Sequence, residues 1–156
     1  MSENIREAIP SKDAKPYGRL QIKKAKEGFG PKTDLLIKKT EKWEDRLRRK
    51  SITLIAENNS GDIIGTSGAQ ILKDGKTANL RGLYVLPEER RKGLGTKLVR
   101  ETLTLLRSRG VETVLTEIDV GNTGSLIQHL ALGFEVLSTV KDGLGKHYKK
   151  LRLALY

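Results

Sequence analysis

Two glycines at alternate positions follow three adjacent basic residues in the stretch PEERRKGLGTKL, residues 87–98. Arg90, Arg91 and Lys92 bring positive charge, and Gly93 and Gly95 keep side chains away just before a leucine-rich run of helical period. The first turn of a helix has unpaired N–H groups, so such a start can bind a phosphate. The stretch matches neither a P-loop nor a dinucleotide fingerprint. An exposed turn, a nucleic-acid patch and a phosphate cradle are all compatible with it.

Two carboxylates lie in the later run VETVLTEIDV, whose composition is typical of a strand. Glu117 stands in the middle of this otherwise apolar run, and burial there would make it a usable base near neutral pH. Asp119 shares the same face, because side chains alternate along a strand, and is the second candidate. Glu117 could equally reach an edge or pair with a basic neighbour, so both interpretations stay open.

The composition excludes several kinds of chemistry. The 156 residues contain no cysteine and two histidines, so disulfides and thiolate catalysis are excluded and no metal site is expected. The first residues lack the apolar run of a signal peptide, and no run approaches the roughly 20 apolar residues of a membrane helix. We expect a single cytoplasmic domain over residues 1–156 with no membrane partner.

The charge of the chain is unevenly distributed. The formal net charge is +11, and residues 1–50 carry fifteen bases and eight acids. Residues 111–140 contain no Lys or Arg and four acids, namely Glu112, Glu117, Asp119 and Glu135. This pattern predicts a positive surface, with weak polyanion binding as one consequence, and a negative patch that would suit a cationic acceptor. A solvated, lysine-rich surface would give much the same total charge.

Periodicity predicts two helices and four strands in the first part of the chain. A short strand is predicted over Ile5–Ile9, followed by helices over Pro16–Lys26 and Asp34–Lys50 that are separated by Gly28–Lys32. Trp43 fits a core position on the second helix. The runs SITLIAEN, IIGTSGAQIL and TANLRGLYVL then predict an antiparallel meander, because only short turns join them.

The second half of the chain predicts a mixed sheet. A helix over Thr96–Arg109, stopped by Gly110, connects the meander to VETVLTEIDV, so the two strands it joins should be parallel. A short helix over Asn122–Leu132 follows, and then Gly133, Phe134 and the strands EVLSTV and HYKKLRLALY. The fold class is therefore α/β, or α+β, with helices flanking the sheet.

These motifs, taken in order, resemble the GCN5-related N-acetyltransferases (GNAT), which use acetyl-CoA to acetylate amines. The family's acetyl-CoA signature is Gln or Arg, two residues, Gly, one residue, then Gly or Ala, and Arg90–Gly95 matches it. LYVLPEE looks like the bulged fourth strand. TEIDVGNTGSLIQHLALGFE resembles the fifth strand, the coenzyme-binding asparagine, the next helix and the GF that opens the sixth strand. The resemblance implies the GNAT fold for nearly the whole chain and is nearest in motif to the ribosomal-protein and N-terminal acetyltransferase branch.

The resemblance implies acetyl-CoA as the cosubstrate and assigns residues to it. The backbone of Leu83, Tyr84 and Val85 would contact the pantetheine arm and thioester. Asn122 matches the asparagine near the coenzyme arm, although a helix N-cap would also explain its position. The pyrophosphate cradle corresponds to a longer set, namely Arg90, Arg91, Lys92, Gly93, Leu94, Gly95 and Thr96, whose three bases would add charge-assisted hydrogen bonds.

Acetyl transfer also needs a neutral amine and a proton for the departing thiolate. Glu117 matches a glutamate that serves as general base, often through water, in the N-terminal branch. A tyrosine stands twelve residues later in many members, and here the position is His129, which could donate as histidinium or hydrogen-bond as neutral imidazole. The alternative for His129 is a helix histidine satisfied by a carbonyl. Asn79 and Arg81 stand where the fourth strand commonly carries a glutamate.

The predicted activity is therefore transfer of acetyl from acetyl-CoA to a primary amine by direct attack in a ternary complex, since no cysteine is present to carry the acetyl group. A protein N-terminus, a lysine or a small amine would all serve as acceptor. The alternative from another class is a non-catalytic, basic RNA-binding or regulatory module with the same fold. The protein would be a monomer or a homodimer.

Overall fold

The computed structural model of the chain describes residues 3–29, 40–49 and 51–155. Seven strands and four helices lie in these residues. In chain order they are β1 (Asn4–Glu7), α1 (Pro10–Phe29), α2 (Thr40–Arg49), β2 (Ile52–Glu57), β3 (Ile63–Ile71), β4 (Thr77–Val85), α3 (Leu94–Ser108), β5 (Thr113–Asp119), α4 (Thr123–Ala131), β6 (Glu135–Lys141) and β7 (His147–Ala154).

The strands form one mixed sheet in the order β1-β2-β3-β4-β5-β7-β6. Strands β1 and β2, and β2 and β3, pair antiparallel, as do β5 with β7 and β7 with β6. Strands β4 and β5 are parallel, with Thr77–Asn79 opposite Thr113–Leu115. The predicted sheet, including its parallel fourth and fifth strands, is confirmed.

The described chain divides into two compact units. The first comprises the chain up to Ala69 together with Gly82–Thr102, and the second comprises Gln70–Arg81 with the chain from Leu103 onwards. Strand β4 and helix α3 contribute residues to both units. The single domain over residues 1–156 stays a prediction.

Helix α1 begins at Pro10, so the predicted start at Pro16 is wrong. Proline is favoured in the first helical position, where no backbone N–H is needed. The carboxylate of Asp13 accepts the N–H of Ile9 at 2.6 Å and holds the helix start to Arg6 of β1 at 2.8 Å. These contacts stabilise the early start, and Pro16 lies within the helix.

The other predicted boundaries differ by smaller amounts. Helix α1 continues through Gly28 to Phe29, so the predicted break begins too early, while residues 30–32 and the predicted start of α2 lie outside the described residues. Strand β1 ends at Glu7. Helix α3 begins at Leu94, two residues before the predicted Thr96, so Leu94 and Gly95 belong to its first turn.

Helices α1 and α2 share a small aromatic core in the first unit. Trp43 is buried, and its ring lies edge-on to Tyr17 with centroids 6.1 Å apart. Ala14 and Leu47 complete the buried cluster. A Cβ atom on Gly18 would lie 2.5 Å from Cδ1 of Trp43, so the helices approach closely only because residue 18 has no side chain. The predicted core position of Trp43 is confirmed.

Candidate active site

A short 3-10 turn over Pro87–Glu89 leads from β4 into the predicted phosphate loop. The backbone N–H of Arg90 donates to the Pro87 carbonyl at 3.3 Å, and Arg91 then adopts a left-handed conformation with φ of 64°. Gly93 is also left-handed, with φ of 82°. The loop thus contains two residues with a left-handed backbone just before α3 begins at Leu94.

The start of α3 fits an anionic group. The N–H of Lys97 donates to the Gly93 carbonyl at 3.0 Å, so the loop glycine is joined to the first turn of the helix. A Cβ atom at Gly93 would meet nothing within 4 Å, which leaves the loop open there. Arg91 and Lys92 are exposed beside it, and Lys92 also pairs with the Glu89 carboxylate at 3.3 Å. Backbone donors, open space and two exposed cations are what a pyrophosphate requires.

The third base of the loop has a different environment. The two terminal nitrogens of Arg90 hold the carboxylate of Glu27 from α1, with Nη2 to Oε2 at 2.7 Å, and Nε donates to the Val85 carbonyl at 2.9 Å. The hydroxyl of Tyr84 donates to the same carboxylate at 2.8 Å. The guanidinium of Arg90 is therefore bound within the protein in this structure, and its contact with the pyrophosphate stays a prediction.

These contacts also fix protonation states. The hydrogen bonds from Arg90 hold the pKa of Glu27 below its usual range, against the opposing effect of burial. Burial and the hydrogen bond to Glu27 raise the pKa of Tyr84 to about 12. Glu27 is consequently ionised, and Tyr84 protonated, at neutral pH.

The end of β4 carries the residues predicted to contact the coenzyme arm. Tyr84 is buried, whereas Leu83 and Val85 are half-buried. Gly82 has a φ of 76° inside the strand, a conformation that glycine adopts without strain. This irregularity fits the bulge expected of the fourth strand. The contacts of Leu83–Val85 with the coenzyme stay a prediction.

In the second unit, Glu117 lies on the exposed face of β5. Val114, Thr116 and Ile118 are buried, and Glu117, which alternates with them, is exposed. The expected burial of Glu117 is therefore wrong, because Val114 and Ile118, two of the apolar residues that suggested it, face the opposite side of the strand. Glu117 stands opposite Lys150 of β7 in the strand register.

Tyr148 is a residue of this face that sequence reasoning missed. It stands opposite Asp119 in the register of β5 and β7, and its hydroxyl lies near the carboxylate of Asp142. Partial burial and the charges of Asp142, Asp119 and Glu117 raise the pKa of Tyr148, so the phenol is protonated at neutral pH. Only the pairing register, which the sequence does not display, brings Tyr148 beside the two carboxylates.

The predicted negative patch is wrong, because basic residues from elsewhere in the chain interleave with its acids. Lys76 lies 3.7 Å from Glu112, Lys146 lies 3.7 Å from Asp119, and Arg152 lies 3.4 Å from Glu135. Strand β7, which carries much of this charge, lies between β5 and β6. A segment without bases in the sequence is therefore not a surface without bases.

Asn122 caps helix α4, as one of its two interpretations predicted. Its side-chain Oδ1 accepts the N–H of Ser125 at 3.1 Å, and its own N–H donates to the Asp119 carbonyl at 2.9 Å. The residue is exposed. Its Nδ2 group carries two further donors, so the predicted contact with the coenzyme arm is compatible with capping and stays a prediction.

His129 is buried on the inner face of α4. Its Nδ1 lies 2.7 Å from the Ser125 carbonyl, which identifies Nδ1 as the protonated nitrogen, and its ring lies edge-on to Phe134 at 5.3 Å between centroids. Burial lowers the pKa of His129, and the hydrogen bond to Ser125 only partly opposes this. The imidazole is therefore neutral near pH 7, and the histidinium form considered for proton donation is disfavoured.

Two absences hold for the part of the chain that the structure describes. No group of three or more His, Asp or Glu side chains is placed to hold a metal ion. No helix among residues 3–29, 40–49 and 51–155 is both long and apolar enough to cross a membrane.

Comparison with known proteins places this geometry among acetyltransferases. Residues 20–134 match the model of the acetyltransferase (GNAT) family. The aminoglycoside N(6')-acetyltransferase type 1 of Klebsiella aerogenes is 30% identical over 102 residues, which cover 62% of this chain and 67% of that relative.

Solved structures share the fold. A ribosomal-protein-alanine N-acetyltransferase from Brucella melitensis superposes with a TM-score of 0.82 at 21% identity, covering 97% of this chain and 99% of the other. A phosphinothricin acetyltransferase from Sinorhizobium meliloti in complex with acetyl-CoA has a TM-score of 0.83 at 19% identity, covering 99% of this chain and 89% of the other.

Proposed function

Because the chain belongs to the acetyltransferase (GNAT) family and is an acetyl-CoA-dependent N-acetyltransferase, we propose that it acetylates a primary amine by direct attack in a ternary complex. The observation that carries this proposal is the open, glycine-containing start of α3 behind two exposed bases. The absence of cysteine from the sequence supports direct attack, because a cysteine acyl-enzyme cannot form.

The residues proposed to hold acetyl-CoA follow from that geometry. The backbone from Arg91 to Thr96 would bind the pyrophosphate, with the side chains of Arg91 and Lys92 adding charge. The backbone of Leu83–Val85 and the amide of Asn122 would hold the pantetheine arm. Acetyl-CoA itself supplies the activated acetyl thioester.

The proposed proton transfers use the exposed face of β5. Glu117 takes a proton from the amine, with Asp119 as its substitute, and its exposed position on the strand leaves it accessible to the amine. Tyr148 is a phenol on this face whose raised pKa keeps it protonated, and it is proposed as proton donor in place of His129, whose buried imidazole is neutral. A neutral His129 would serve only through its Nε2 lone pair.

The acceptor is proposed to be a protein N-terminus, a lysine or a small amine. The match of Glu117 to the general base of the N-terminal branch favours a protein N-terminus. The bases of β7 lie among the acids of this face, which argues against selection of a cationic acceptor by negative charge of the protein alone. We would measure CoA release with peptides of varied N-terminal residue, N-acetylated lysine peptides, polyamines and aminoglycosides. CoA release only with peptides that have a free N-terminus would support a protein N-terminus as acceptor. CoA release with none of these amines would contradict the proposal.

A polyanion is proposed as a second partner, on the exposed face of α1. Lys12, Lys15, Arg19, Lys23 and Lys26 recur at intervals of three and four residues and are all exposed. The acids of this helix, Asp13 and Glu27, bind Arg6 and Arg90. A cytoplasmic location and a monomeric or homodimeric state stay predictions.

A further inference from the structure

In the first unit, one carboxylate binds two side chains that come from other parts of the chain. Glu27 at the end of α1 accepts hydrogen bonds from Tyr84 of β4 and from Arg90 of the signature loop. We propose that Glu27 is a positioning residue for acetyl-CoA binding. It holds Arg90, and through Arg90 the backbone of the loop, in the conformation that receives the pyrophosphate.

The guanidinium of Arg90 is engaged on several sides. Its Nε binds the Val85 carbonyl, its terminal nitrogens bind both oxygens of Glu27, and its carbon lies 5.4 Å from the centre of the Tyr84 ring. An arginine side chain has five N–H donors, and Arg90 makes three hydrogen bonds to protein atoms. Because its positive charge is paired with the Glu27 carboxylate, Arg90 serves to hold the loop in place.

The loop needs such a restraint because its backbone is strained. Arg91 is a non-glycine residue with φ of 64°, and a left-handed conformation costs an L-residue free energy relative to its ordinary conformations. Such a conformation persists when the neighbouring structure fixes it. Arg90, the residue just before it, is fixed by its backbone N–H to Pro87 and by its side chain to Glu27 and Val85.

Removing the charge of Glu27 should therefore weaken acetyl-CoA binding although Glu27 lies outside the signature. A bidentate arginine–carboxylate pair is stronger than a neutral hydrogen bond, while its partial exposure limits its strength. We expect Glu27→Gln to raise the Kd of acetyl-CoA about threefold to tenfold. In the ligand-free protein, amide hydrogen exchange over residues 90–96 should become faster.

The decisive measurement is a double-mutant cycle by calorimetric titration of acetyl-CoA into the ligand-free protein. Arg90→Gln keeps a residue that the signature permits, yet it removes the ion pair. If Glu27 acts through Arg90, the double variant Glu27→Gln/Arg90→Gln binds acetyl-CoA no more weakly than Arg90→Gln alone. Because no amine acceptor is present, a failure here is distinct from a wrong choice of acceptor.

Glu44→Gln is the matched control, since it removes one carboxylate from the exposed ion pair with Arg48 on α2. Its acetyl-CoA affinity should equal that of the wild type. Thermal unfolding checks each variant, and Glu27→Asp, which keeps the charge but shortens the side chain, replaces Glu27→Gln if that variant does not fold. A Kd within twofold of the wild type for the Glu27 variant, or additive effects in the cycle, would overturn the proposal.

Discussion

At the scale of single residues, His129 shows how an environment sets a chemical role. The same imidazole would donate a proton if it were exposed beside an acid, but it is buried against Phe134 and bonded to the Ser125 carbonyl. Burial lowers its pKa, so the folded protein binds fewer protons than the unfolded chain at mildly acidic pH. His129 therefore contributes to the pH dependence of stability.

We expect the wild type to lose stability as the pH falls below about 6.5, the ordinary pKa of histidine, because the unfolded chain then binds a proton that buried His129 resists. His129→Gln should lack this step, and at pH 7 it should be about 1 kcal/mol less stable, because the bond to Ser125 is disturbed. Urea unfolding between pH 5 and pH 8 measures both effects. Parallel stability profiles for the two proteins would contradict the prediction.

Tyr148 gives a second prediction at this scale. Because its protonated hydroxyl lies on the face that carries Glu117 and Asp119, Tyr148 should support turnover, so Tyr148→Phe should lower kcat about tenfold or more while the Kd of acetyl-CoA is unchanged. His129→Phe provides the comparison, since its effect should be mainly on stability. The two variants are assayed by CoA release with the best amine found. If His129→Phe loses turnover and Tyr148→Phe keeps it, the assignment of the proton donor is reversed.

At the scale of elements, the contact of α1 with α2 depends on the absence of a side chain at Gly18. Gly18→Ala would place a methyl group 2.5 Å from the Trp43 ring, which would have to move within a buried cluster. We expect a loss of about 1 to 3 kcal/mol of unfolding free energy, measured in urea. Gly124→Ala is the control, because a Cβ atom there meets nothing within 4 Å. Equal stability of Gly18→Ala and the wild type would show that the ring moves freely.

The junction of β1, α1 and β2 gives a pH-dependent prediction. Burial raises the pKa of Asp13, but the hydrogen bonds and charge of Arg6 outweigh it, and the net shift is downward. Arg6 also lowers the pKa of Glu57. A lowered carboxyl pKa contributes stability above the pKa of the unfolded chain, and this contribution is lost as the pH falls through the folded value.

Asp13→Asn should therefore cost about 2 kcal/mol of unfolding free energy at pH 7, because Arg6 loses a buried, charged partner. The difference from the wild type should shrink as the pH falls below about 4, because the unfolded chain then protonates Asp13, whereas the folded carboxyl resists protonation until its own lower pKa is reached. Asp62→Asn, at an exposed acid, serves as the control. A difference that stays constant from pH 7 to pH 2 would mean that the Asp13 charge contributes nothing.

At the scale of the whole molecule, the +11 charge becomes informative once its location is known. Replacing Lys12, Lys15, Arg19 and Lys23 with glutamine should weaken binding to single-stranded RNA, and the dependence of log K on log salt should become shallower by about 3. The control replaces four exposed bases elsewhere, namely Lys73, Arg81, Arg107 and Lys141. Equal loss in both variants would mean that net charge, and not the α1 face, binds the RNA.

Much of the fold followed from local patterns, whereas the contacts of the candidate site did not. Alternation and turn residues predicted the strands, and a connecting helix predicted that β4 and β5 are parallel. The start of α1 was missed because it depends on a contact between elements, in which Arg6 of β1 binds Asp13 of α1. The environment of Glu117 was missed because an apolar strand can still expose one face. Glu27 and Tyr148 belong to no motif, and only tertiary packing and strand register bring them to Arg90 and Asp119.

The position of β7 has a kinetic consequence. In the sheet this strand lies between β5 and β6, although it follows both in the chain. Strands β6 and β7 are consecutive and can pair as a local hairpin, with Lys141 opposite His147, whereas α4 and β6 separate β5 from β7 in the chain. The pairing of β5 with β7 is therefore non-local and should come late in folding. Until the hairpin of β6 and β7 pairs with it, β5 presents an open edge that another chain could occupy. Refolding at high protein concentration should consequently lose more material to aggregation than refolding at low concentration.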